Sequence, residues 1–68
     1  MKLWIARDED GSLNLFMHSV PHKEIYERVV MWENDEECGI ISMDRTDFPE
    51  VTFENSPQEV EIKLIKEE

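Results

Sequence analysis

The chemistry-bearing residues of this chain are two histidines, one cysteine, four serines and a dense set of carboxylates. His18 and His22 stand four apart, a spacing that on a helix turns both imidazoles to one side, where a metal ion would find two ligands. Val20 and Pro21 argue against a helix there, and no spacing marks Glu24 or Cys38 as a further ligand. Structural histidines account for the pair, and no metal is expected. Asp8-Glu9-Asp10-Gly11-Ser12 has the clustered acids and glycine of a calcium loop, but with Asp8 as first ligand the turn glycine falls on Leu13 and the bidentate glutamate on Ser19. A hairpin turn explains the same residues.

Cys38 is the only cysteine, which excludes an internal disulfide and a thiolate zinc site, and it reads as a small hydrophobe in a reducing compartment. Ser12, Ser19, Ser42 and Ser56 lie in no nucleophile motif, and Gly11 and Gly39 alone cannot build a phosphate loop. Carboxylates are so frequent that no pair stands out as acid and base. An enclosed pocket of ordinary ligand size, roughly 300 Å³ or more, is also hard to build in so small a core. The chain is therefore expected to be no enzyme and to carry no catalytic residue and no cofactor.

The carboxylates themselves are the strongest signal. Glu33, Asp35, Glu36 and Glu37 fall within five positions, and Asp44, Asp47, Glu50 and Glu54 follow. A solvated turn explains the first group. A contact surface is the sharper reading, because carboxylates held on a small rigid domain imitate the charge of a nucleic-acid backbone and fit a basic groove on another protein. The formal net charge is −10, of which −9 belongs to residues 33–68. Such a field repels phosphates and anionic lipid, so direct binding of nucleic acid or a membrane is not expected, and a basic protein partner is. Core packing is the default for Trp4, Phe16, Tyr26, Trp32, Phe48 and Phe53; Trp32, if left on a sheet face, becomes a hot spot for a protein partner.

The elements that must position these residues read as strands. Lys2 to Arg7 places Leu3, Ile5 and Arg7 on one side and Lys2, Trp4 and Ala6 on the other. Asp10-Gly11 then turns the chain into Leu13 to Met17, completing a hairpin. Ser19 to Glu24 reads as a loop or short edge around Pro21. Ile25 to Trp32 has helical spacing at Ile25, Val29 and Trp32, but β-branched and aromatic residues favour a single strand. Glu33 to Glu37 is a polar turn, Gly39 to Met43 a short strand, Asp44 to Phe48 a turn closed by Pro49, and Val51 to Phe53 a brief strand. Asn55-Ser56-Pro57 is a turn, and Val60, Ile62 and Leu64 alternate with polar residues in a last strand.

A chain of 68 residues has room for one domain, 1–68, and a core this small leaves stability near break-even. The expected fold is a small, mainly β domain: an antiparallel sheet or open barrel of about five strands, with a short helix allowed near Pro21 or before Pro49. Leu3, Ile5, Leu13, Leu15, Val29, Ile41, Val60, Ile62 and Leu64 are its expected core. The marginal core size is compatible with a homodimer. No apolar run spans a bilayer and the first eight residues reach charge too early for a signal peptide, so a cytoplasmic location is expected.

Met1 to Asp8, Asp10 to Leu13 and, above all, Phe48-Pro49-Glu50-Val51-Thr52-Phe53-Glu54-Asn55-Ser56-Pro57-Gln58-Glu59-Val60-Glu61-Ile62 resemble a group of small uncharacterised proteins of phages, prophages and mobile elements, notably of gut bacteria. The likeness covers roughly the first fifteen and last twenty residues, a little over half the chain, and does not place Ile25 to Met43. It implies no activity and carries over no site residue. It implies a small intracellular accessory protein, either an inhibitor or nucleic-acid-mimicking decoy of a basic host protein, or an assembly accessory that self-associates or pairs through a strand edge.

Overall fold

The computed structural model describes residues 2–34 and 39–61. They form six strands and no helix: β1 (Lys2–Arg7), β2 (Leu13–Phe16), β3 (His22–Tyr26), β4 (Val29–Glu33), β5 (Ile40–Met43) and β6 (Gln58–Glu61). No helix among them is long and apolar enough to cross a membrane. All pairing is antiparallel, in a four-stranded sheet of order β5-β2-β1-β6 and a two-stranded sheet of β3 and β4.

The β1–β2 hairpin forms as its residues predict. Gly11 N–H donates to the Asp8 carbonyl at 3.0 Å and Asp8 N–H to the Ser12 carbonyl at 2.8 Å, and Gly11 takes φ 97°, which its missing Cβ makes affordable. The register sets Ile5 opposite Leu15 and Leu3 opposite Val60, so the apolar side chains of three strands share one face. Ile5 and Leu13 are buried there against Val51, with Leu15, Met43 and Val60 partly buried around them. On the opposite face Ala6 and Phe16 are buried beneath Trp32, with Trp4 and Phe53 packed alongside.

The segment from Ser19 to Trp32 departs from the sequence reading. The loop-or-short-edge segment ends in an edge strand from His22, and in place of one strand or helix over 25–32, residues 22–33 form a hairpin turned by Glu27 and Arg28 at φ 47° and 73°. Two consecutive left-handed residues are the requirement of a two-residue hairpin turn, and Glu-Arg lacks the Asn-Gly signature that announces one. The reason lies outside the segment. Asp8 Oδ1 accepts the Trp32 N–H at 2.8 Å, and Glu9 N–H donates to the Val30 carbonyl at 3.1 Å, so the β1–β2 turn satisfies the outer edge of β4 and holds Trp32 over Phe16.

Val51 to Phe53 is not a strand either; those residues belong to a run of turns from 44 to 57. Of the expected core, Ile41 is 47% exposed near the outer edge of the main sheet, and Val29 lies in the two-stranded sheet away from it. Ile62 and Leu64 lie outside the described residues.

Candidate functional site

The 44–57 run is held from within by one side chain. Arg7 continues the Leu3-Ile5 alternation, so its side chain lies on the face that the run covers. Its Nε donates to the Val51 carbonyl, Nη1 to the carbonyls of Gly11 (2.8 Å) and Arg45 (2.9 Å), and Nη2 to those of Asp47 (2.9 Å) and Phe48 (3.1 Å). A guanidinium has five N–H donors, and all five end on backbone carbonyls. The Arg7 main-chain N–H donates to Ser56 Oγ at 2.9 Å, fixing the far end of the run. The Arg45 side chain ties the run to the hairpin turn, its Nη2 donating to the Asp10 carbonyl at 2.7 Å.

Local turns complete this frame. Asp44 Oδ1 accepts from Thr46 N–H at 2.8 Å and Thr46 Oγ1 at 2.6 Å, which holds the Asp44 carboxyl below the usual carboxylate range. Asn55 Oδ1 accepts the Thr52 N–H at 2.8 Å, and Asn55 Nδ2 donates to the Glu50 carbonyl at 2.9 Å. Asp44, Asp47, Glu50 and Glu54 are thus exposed side chains on ordered backbone, and among the described residues no ion pair engages them. Asp10 is also exposed, its carboxyl lowered by hydrogen bonds from Ser12.

Of the other expected acidic residues only Glu33 is among the described ones. Glu33 ends β4 half-buried, and Asp35, Glu36, Glu37 and Cys38 lie outside the described residues. Trp32 is no surface hot spot: it is 6% exposed, packed on Phe16 and tilted at 52° to Phe53, with Lys23 Nζ 5.5 Å from its ring centre. The register puts Lys23 directly opposite Trp32, so this cation is spent on the aromatic pair. His22 Nε2 lies 3.1 Å from Glu24 Oε1, while His18 sits in a left-handed turn. Among the described residues no three His, Cys, Asp or Glu side chains gather as a metal site.

No family model, curated protein or solved structure matches this chain.

Two of those residues escape a reading of motifs. Arg7 is flagged only by position, as a charge in register with Leu3 and Ile5. Asp8, which opens a polar stretch of sequence, is 1% exposed; burial raises its carboxyl, against the lowering effect of the Trp32 N–H, and Asp10 and Glu33 raise it further. The role of each depends on partners more than twenty residues away, which no local spacing pattern contains.

Proposed function

We propose that this chain is a non-catalytic, acidic protein-binding module of phage or mobile-element origin, acting in the cytoplasm on a basic host protein as an inhibitor or nucleic-acid-mimicking decoy. The observation that carries this reading is the 44–57 run: four exposed carboxylates on backbone that the Arg7 guanidinium fixes through four hydrogen bonds. Preorganised like charge binds a complementary surface without the entropy cost of ordering a flexible loop, and it speeds encounter with a basic partner. Asp44 and Asp10 keep their charge to lower pH than free carboxylates do.

The test is capture of host proteins by the tagged full chain at low and high salt, read by mass spectrometry. A nucleic-acid-binding enzyme held at low salt, released at high salt and lost with Asp47→Lys, Glu50→Lys and Glu54→Lys supports the decoy. Retention that survives both salt and charge reversal sinks it.

A second reading rests on β3. Its partner β4 has an outer edge closed by Asp8 and Glu9, whereas β3 has its own outer edge open among the described residues, with Ile25 74% exposed. An assembly accessory that pairs with itself or another strand would use this edge, and its association would tolerate salt.

A further inference from the structure

An apolar groove of about 420 Å³ lies between the 44–57 run and the main sheet, with Leu3, Ile5 and Val51 buried at its floor. Leu3, Ile5, Leu15, Met43, Val51 and Val60 line it. Phe48 borders it too, 48% exposed and held at φ 48°, a backbone conformation that bulky residues keep only where their surroundings impose it. Arg7 Nη2 and the Val51 N–H impose it here by donating to the Phe48 carbonyl. Among the described residues, the charged ones bordering the groove are Glu50 and Glu61, both acidic. The sheet ends in β5 on one side and β6 on the other, each with an outer edge that no described strand occupies.

These features select an occupant. Apolar lining of this extent gains from burying one or two bulky side chains and rejects a wholly polar ligand. The bordering glutamates and a net charge of −10 reject an acidic ligand and attract a basic one. Strand edges flanking the face suit an extended main chain. We propose that the groove binds an extended segment of a partner protein, one that presents bulky apolar side chains flanked by lysine or arginine. This rests on the protein-binding reading above and adds the chemistry of the partner: charge brings it to the acidic run, and Phe48 and the groove hold its apolar anchor.

The experiment is an NMR titration of the isotopically labelled full chain with defined synthetic peptides. One alternates lysine with leucine and phenylalanine; a second replaces the apolar residues with serine; a third replaces lysine with glutamate. The first is expected to saturate and to shift methyl signals of Leu3, Leu15, Met43 and Val60, whereas the other two leave those methyls unmoved. Phe48→Ala should weaken the first peptide roughly tenfold, as loss of an anchor contact does. Glu50→Lys, a change at an exposed side chain, should narrow the preference for lysine over glutamate. Equal binding of the glutamate peptide overturns the proposal. So do cross-relaxation to the groove methyls from elsewhere in the same chain and concentration-dependent shifts without peptide, which give the groove to this chain or to a second copy. If both lysine peptides shift only the acidic run, the groove proposal falls and the acidic-surface reading stands; if neither binds, both fall.

Discussion

At the scale of single residues, two buried or half-buried charges organise the molecule by opposite means. Arg7 places its charge among carbonyl dipoles and leaves no donor idle. Arg7→Lys keeps the charge but supplies three donors from one point, so carbonyls of the 44–51 turns lose partners. Urea denaturation is expected to show a loss of about 2–4 kcal/mol, the worth of one or two charged hydrogen bonds, with chemical shifts moving mainly in residues 44–57. Asp8 has one carboxylate oxygen on the Trp32 N–H and the other buried without a partner among the described residues. Its carboxyl is raised above the unfolded value near 3.8, so the folded state holds its proton more tightly. Its stabilisation is complete below that value and is lost as pH rises through the folded one. Asp10 and Asp44, lowered from 3.8, act in the other direction: their stabilisation is present above it and lost as pH falls through their folded values. Asp8→Asn should therefore flatten the fall in melting temperature as pH rises above 3.8 and leave the acid limb intact. Parallel curves for the two proteins would refute this.

At the scale of elements, the two hairpins contrast in what their turns supply. The β1–β2 turn uses Gly11 where φ is 97°, and a Cβ there would stand 3.1 Å from Arg45 Nη2. Gly11→Ala is expected to cost about 1–2 kcal/mol in thermal or urea unfolding, for left-handed strain and displacement of Arg45. The β3–β4 turn instead puts Glu27 and Arg28 in left-handed conformations, each at a similar steric disadvantage. Glu27→Asn with Arg28→Gly should raise stability by about 1 kcal/mol without changing the register. An unchanged or lower melting temperature would show that these side chains contribute more than the turn geometry reveals.

For the whole molecule the dominant quantity is charge. A net −10 on 8.1 kDa makes self-repulsion a standing cost, and the described acids of the 44–57 run face solvent. The melting temperature should rise as sodium chloride increases from low to about 0.5 M, because the screening length falls below the spacing of surface charges. Asp44→Asn, Asp47→Asn, Glu50→Gln and Glu54→Gln together should raise the low-salt value and shrink the salt effect. Asn at 44 still offers an Oδ1 to Thr46, so the turn survives the test. A salt response untouched by these changes would place the repulsion elsewhere.

The sequence alone was enough for what depends on neighbours a few residues apart. The alternation of Lys2–Arg7 and Leu13–Phe16, the Asp10-Gly11 turn between them and the turns around Asp44 and Asn55 all follow from local backbone preference and period-two burial. The surplus of carboxylates follows from composition. What only the tertiary structure decided depends on partners far along the chain. Residues 22–33 fold as a hairpin because Asp8 and Glu9 satisfy the edge of β4 and Phe16 offers Trp32 a buried seat. Val51 to Phe53 leaves the strand conformation because Arg7 takes the Val51 carbonyl and the side chains of Val51 and Phe53 pack with opposite faces of the sheet. Trp32 takes the core position rather than the sheet-face contact for the same reason. Long-range hydrogen bonds and shape complementarity outweigh local propensities of a few tenths of a kcal/mol per residue, and no window of sequence contains both partners.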